Sequence, residues 1–165
     1  MTPLARPLFI LLMVVSTILI SVTTDHLPVR IASHFGAGGV PNGWMNRNAY
    51  LLFMLAFAVV LPIAVVLGMS VLPRRKTGAI NIPHREFWLE PVRREATLRF
   101  LAAHACWLGS LLVVFIAAIH LLLLEANATQ PPRLPGAMFY TLLVAFVVAL
   151  GIWMATLLLR FRRGT

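Results

Sequence analysis

Five histidines, one cysteine and five carboxylates are the chain's whole stock of side chains able to ligate a metal or carry a proton near neutral pH. Asp25, His26, His34, His120 and Glu125 are the set from which a zinc site would be drawn, because imidazoles and carboxylates are ordinary ligands of that ion. No spacing of the His-Glu-x-x-His kind ties them together. His26, His34 and His120 therefore stand only as weak candidates, with a His34 that bonds loop carbonyls as the plainer reading. No metal or other cofactor is expected. His104 and His120 are sixteen residues apart on one apolar run. At about 100° per residue they point about 160° away from each other on a helix and cannot share a ligand. Haem ligation would need a second histidine at matching depth, and the other apolar runs contain none. Cys106 sits inside an apolar run, and Ser33 has no defined base, so nothing resembling a nucleophile with its base is present. No catalytic residue is assigned, and the chain is expected not to be an enzyme.

The elements that must position these residues are hydrophobic helices. Of the 165 residues, 60% are hydrophobic and 12% charged, with mean hydropathy +0.89. An ordinary soluble domain is about 45–50% apolar, and these values leave no room for a large soluble catalytic domain. Uncharged apolar runs cover 7–24, 49–72, 100–124 and 136–159, and a bilayer span needs roughly 20 residues. None shows the alternation of an outer-membrane strand. The first run is longer than the usual signal-peptide core, and Ser21-Val22-Thr23-Thr24 offers no clear cleavage site. It reads as a retained anchor. The expected architecture is all-α: a single integral membrane domain, 1–165, built as a four-helix bundle.

Charge orients it. Arg6, the connection from Arg74 to Arg99 and the tail hold eleven basic residues, against three (Arg30, Arg47 and Arg133) in the other two loops. The positive-inside bias then places both termini and the cytoplasmic loop 73–99 inside, with loop 25–48 outside. A net charge of +9 becomes a label of sidedness. No nucleic-acid partner is expected, since no aromatic-interleaved basic platform accompanies the charge.

Small residues four apart (Ala64 with Gly68, Ala105 with Gly109, Ala145 with Ala149, Gly151 with Ala155) should mark helix contacts. Pro62, lacking an N–H, should kink the second span, and Cys106 should fill a core gap. The outer loop, with two prolines, four glycines between 36 and 43, and an interfacial Trp44, is expected to form an ordered cap. Gly36-Ala37-Gly38-Gly39 superficially suggests phosphate binding, but is expected neither to follow a strand nor to open a helix as the nucleotide fingerprint requires.

Leu27-Pro28, Ile31, His34, Gly39, Pro41 and Trp44, directly after a first apolar helix, resemble the signature of a bacterial membrane family, domain of unknown function sixteen-forty-eight. Ala32 stands where a second proline is common. The segment Asn81-Ile82-Pro83, Phe87-Trp88-Leu89, Pro91 and Arg93-Arg94-Glu95 is similar to a second stretch of full-length members. The resemblance implies a multi-pass plasma-membrane protein. Its relatives include the Sdp-type immunity proteins, which protect a producing cell from its own toxin and carry a further helical domain not recognisable here.

Read by residue type, Pro91 favours a helix start, and Glu95 with Arg99 helps that helix continue into the third span. Asn81, Pro83, Phe87, Trp88, Arg93 and Arg94 have the composition of an interfacial segment lying on anionic cytoplasmic lipids, or of a docking surface for a partner. Recognition of an envelope ligand, a toxin peptide or another membrane protein is expected at the outer loop, through His34, Pro28, Gly39, Pro41 and Trp44. A small transport or permease-accessory subunit is the alternative.

Overall fold

The computed structural model describes residues 4–75 and 80–162, so Lys76 and Arg163 of the basic tally lie outside the described residues. In chain order the elements are α1 (Ala5–Thr24), β1 (Arg30–Phe35), β2 (Pro41–Asn46), α2 (Arg47–Ser70), the short turns α3 (Leu72–Arg75) and α4 (Arg85–Trp88), α5 (Pro91–Ala128) and α6 (Gly136–Arg162). The four long helices are each apolar and long enough to cross a membrane.

Local chemistry sets their ends. Asn46 caps α2, its side chain accepting from the Ala49 N–H at 2.8 Å, so the helix starts at Arg47, two residues before the apolar run. Pro91 takes the first turn of α5, where its missing N–H costs nothing. The charged turns after it continue the helix for 38 residues, about 57 Å at 1.5 Å per residue, against a hydrocarbon core of about 30 Å. The third helix thus extends beyond the apolar run 100–124 at both ends, starting at Pro91 as its helix-start preference predicts and running on to Ala128. Within α1, Thr17, Ser21, Thr23 and Thr24 each donate to the carbonyl four residues back, which satisfies hydroxyls that lipid cannot. Pro62 lies buried inside the continuous helix α2.

The all-α expectation needs one correction. Between α1 and α2 the chain forms an antiparallel hairpin, β1 with β2, pairing Arg30 with Asn46, Ile31 with Met45, Ala32 with Trp44, His34 with Gly43 and Phe35 with Pro41. A connector that covers the end of an apolar bundle must pair its own backbone groups, and a hairpin does so within a few residues. Gly36-Ala37-Gly38-Gly39 is the tip of this hairpin, so it does follow a strand, but it forms only a single 3-10 turn (Ala37–Gly39) before β2 and opens no α-helix. Leu27, Ile31 and Ala32 are buried, and Leu27 and Ile31 pack with Ile20, Tyr50, Met54 and Leu123.

The core is formed by three helices. α1, α2 and α5 pack on one another, with Ala5, Phe9, Cys106 and Val113 meeting Ile63 and Val66 towards the end away from the hairpin. α6 is peripheral. Its chief partner is α5, and only 6% of its most apolar window is buried, so a compact four-helix bundle is replaced by a three-helix core with an added outer helix. Its seam is aromatic: Phe146 stacks on Phe115 (centroids 4.2 Å apart), Trp153 on His104 (4.7 Å), and Phe161 meets Phe100 edge-on (5.6 Å). Among the expected small-residue contacts only Ala105 with Gly109 is a tight one, whereas Gly68 and Gly151 face open space.

A Cβ on Gly109 would stand 2.7 Å from both the Phe9 ring and a Val66 methyl. Gly109→Ala is expected to destabilise the protein by about 1–3 kcal/mol through overpacking. Gly68→Ala, which meets nothing, should be neutral or slightly stabilising. Thermal unfolding of the purified variants in detergent compares the two.

Candidate functional site

The residues that organise the hairpin end begin with His120, which is wholly buried on α5. Thr23 Oγ1 donates its one proton to the Leu19 carbonyl at 2.6 Å, so toward His120 Nε2, 2.7 Å away, it acts as acceptor. Nδ1 is then free to accept from the Tyr50 hydroxyl at 2.8 Å. This Nε2–H tautomer gives every proton of the set an acceptor. One imidazole thereby joins α1, α2 and α5 at a single depth.

Two further fasteners hold the cap on this junction. Asn127, buried on α5, accepts from the Ala32 N–H at 2.9 Å and donates to the Ala32 carbonyl at 3.1 Å, imitating one rung of a sheet. The hairpin tip is held by the Leu134 N–H, which donates to the Gly39 carbonyl at 3.0 Å. Gly39 has φ +75°, and a Cβ there would lie 2.5 Å from the Leu134 carbonyl oxygen, so both conformation and space demand glycine.

This frame encloses a groove. A cavity of about 670 Å³ lies between the hairpin (Ser33 to Gly39), α5 (Ile119, Leu122, Leu123) and the segment from Arg133 to Tyr140 that begins α6. Adjoining it, and sharing Ser33, His34, Ile119 and Leu123, is an apolar hollow of about 240 Å³ lined also by Tyr50, Phe53, Phe57 and Phe115. His34 and Arg133 bring polar groups to the mouth formed by the larger cavity, whose lining is otherwise mainly apolar, and the adjoining hollow is aromatic. Phe53 and Phe57 are 52% and 44% exposed, so the groove is open sideways as well as at the hairpin end. Such a shape suits an amphipathic ligand, with a few polar groups fixing orientation over an apolar wall.

Residues 11–66 match the family model of the domain of unknown function DUF1648. The DUF1648 segment spans most of α1, the hairpin and most of α2, and therefore supplies Thr23, Tyr50, the roof of the groove and its aromatic α2 wall. The floor from α5 and the wall from α6 lie outside the match. No curated protein and no solved structure matches the chain. A DUF1648 segment together with four long apolar helices marks a multi-pass membrane protein.

Of the outer-loop residues singled out above, His34 and Gly39 line the groove. Pro41 opens β2 opposite Phe35. Trp44 is 45% exposed with the Arg30 guanidinium 5.3 Å from its ring centre, and Pro28 lines a separate hollow with His26 and Glu125. The candidate metal ligands are not brought together: among the described residues no three of His, Cys, Asp or Glu gather, and both ring nitrogens of His120 are engaged within the helix core. His104 is likewise a fastener, its Nε2 bonding the Trp153 carbonyl at 3.0 Å while Trp153 Nε1 donates to the His104 carbonyl at 2.9 Å.

At the opposite end the interfacial segment folds back on the protein. Trp88 is buried, edge-on to Phe161 at 5.4 Å and covered by Arg160 at 4.5 Å, so its ring packs against the protein itself. Phe87 is half-buried under Arg93, whose Nε bonds the Phe87 carbonyl at 2.9 Å and which pairs with Glu90. Arg94 is half-buried, and Asn81 and Pro83 are exposed.

Tyr50, Asn127, Arg133 and Ile119 escaped sequence reasoning as site residues. One signal for Tyr50 was present: it lies three residues inside α2, at the same end as Thr23 at the close of α1. Tyr50→Phe leaves His120 Nδ1 without a donor and is expected to cost about 0.6–2 kcal/mol, the range for polar contacts between membrane helices. His120→Leu should cost more, and the double variant should cost less than the sum. Unfolding by mixed detergent titration measures the coupling.

Proposed function

We propose that this protein is a non-enzymatic receptor in the bacterial plasma membrane that recognises an amphipathic ligand reaching its outer face. The observation that carries this reading is the roofed groove itself: a mouth with His34 and Arg133 in its lining, adjoined by an aromatic hollow that Tyr50 also lines. Tyr50 lines the smaller hollow and its hydroxyl holds His120, so a ligand there packs against a member of the junction that joins α1, α2 and α5. Binding that favours one arrangement of this junction over another would shift the helix core, which is what a sensor requires.

Both termini and the connection between α2 and α5 are cytoplasmic in this reading, with the hairpin outside. The support is the basic collar at the end away from the hairpin, where Arg74, Arg93 and Arg160 surround α4 and the start of α5. With Trp88 turned inward, contact with anionic lipid in the inner leaflet falls to exposed arginines such as Arg85, Arg99 and Arg162. An immunity-like role, sensing an agent that acts on the envelope, is what the resemblance to Sdp-type proteins implies for the same end of the molecule. The transport or permease-accessory alternative rests on Pro62, His104 and His120. Pro62 is buried in a continuous helix and both histidines are spent on interhelical bonds, which favours recognition.

A deletion strain and its complemented parent, challenged with a panel of envelope-active peptides and detergents, should differ in survival for at least one agent. Complementation by Ile119→Trp, which fills the groove floor, should fail to restore the difference. Equal survival across the panel overturns the recognition reading.

A further inference from the structure

Resting on the recognition reading above, we propose that the ligand of the groove is an anionic phospholipid of the outer leaflet, its headgroup phosphate held at Arg133 and His34 and one acyl chain lying along Phe57, Phe53 and Phe115. Three observations carry it.

The first is charge. Arg133 lines the mouth, and among the described residues no carboxylate lies within ion-pair distance of it. The acidic groups of the hairpin end stand elsewhere: Glu125 lines a different hollow with His26, and Asp25 sits beside that histidine at the end of α1. The mouth is therefore of one sign, and an arginine matches a phosphate by paired N–H donors.

The second is the way in. The apolar hollow is walled by side chains on α2 that are about half exposed along the helix surface, Phe53 and Phe57. It shares Ser33, His34, Ile119 and Leu123 with the larger cavity that holds Arg133. A chain already in the bilayer can slide between these walls without crossing water, while its headgroup stays at the level of the hairpin. Met45 and Met54 line the same hollow and adapt to a flexible chain.

The third is what the roof refuses. A peptide adding a strand along β1 would meet Asn127 at Ala32, where it already occupies both the N–H and the carbonyl. At that position β1 takes no third strand, and the aromatic wall of Phe53, Phe57 and Phe115 is left to receive an apolar chain.

The test is native mass spectrometry of the full chain, purified in detergent and titrated with dioctanoyl phosphatidylglycerol or dioctanoyl phosphatidylcholine. Wild type should bind one equivalent of the anionic lipid about tenfold more tightly than the zwitterionic one, the size of a charge-assisted contact. Arg133→Gln should abolish that preference. Arg160→Gln, at the other end of the molecule, should keep it, which separates the groove from anionic lipid on the basic collar. Ile119→Trp should remove the groove equivalent for both lipids, with Ile119→Phe as the milder variant should the larger ring unfold the protein in thermal melts. Equal affinity for the two lipids, or an unchanged preference in Arg133→Gln, overturns the proposal. If that happens while the deletion strain still differs from its parent on challenge, the ligand class is wrong and the recognition reading stands; if both vanish, both fall.

Discussion

The whole hairpin end depends on one imidazole that satisfies two other helices at once. In lipid there is little hydrophobic drive between helices, so association rests on close packing and on polar groups with nowhere else to bond. His120 meets that condition on three helices: it donates to Thr23, accepts from Tyr50, and stacks near the Tyr50 ring at 5.8 Å. Because Thr23 closes α1 and Tyr50 lies near the start of α2, the junction also fixes the two chain ends from which the hairpin springs. The cap inherits its position from the junction below it.

Asn127 and Gly39 then convert a connector into a roof. A two-stranded hairpin alone is marginal in water, and this one is tied at Ala32 to α5 and at Gly39 to the segment before α6. Arg47 adds a third tie, bonding the carbonyls of Asp25 and Leu27. The space left beneath is shaped by what does not pack. α6 leans chiefly on α5 through three aromatic contacts spaced along its length, leaving its remaining surface to the bilayer. The groove thus has a roof tied to α5 and a side wall that is pinned to that roof at Leu134.

The far end is organised by different chemistry. Arginines lie over aromatic rings, Arg160 on Trp88 and Phe100, Arg93 on Phe87, and the apolar Ile80, Leu98, Leu101 and Phe161 close the cluster. Each guanidinium covers apolar surface while its charge stays at the boundary. This ties the short α4 to both α5 and α6, and Thr97 strengthens it by donating to the Trp88 carbonyl at 3.0 Å.

The amino-acid sequence by itself determined that there are four long apolar helices, that the connection after the first is ordered, and that the third begins at Pro91, because span length, glycine and proline chemistry, and helix-start preference are local properties. The DUF1648 likeness was legible for the same reason, in short runs around Leu27 and Trp44. Only the tertiary structure decided which polar residues meet. His34 and Gly39 reach the groove while Pro28 and Trp44 do not, since a bulged hairpin register and a pin to Leu134 choose the face. Trp88 reads as an interfacial residue by its neighbours in sequence, and only the fold brings Phe161, more than seventy residues later, against its ring. His120 reads as an isolated intramembrane histidine until Thr23 and Tyr50 arrive from other helices, because a polar group in lipid takes its meaning from partners that sequence distance does not reveal.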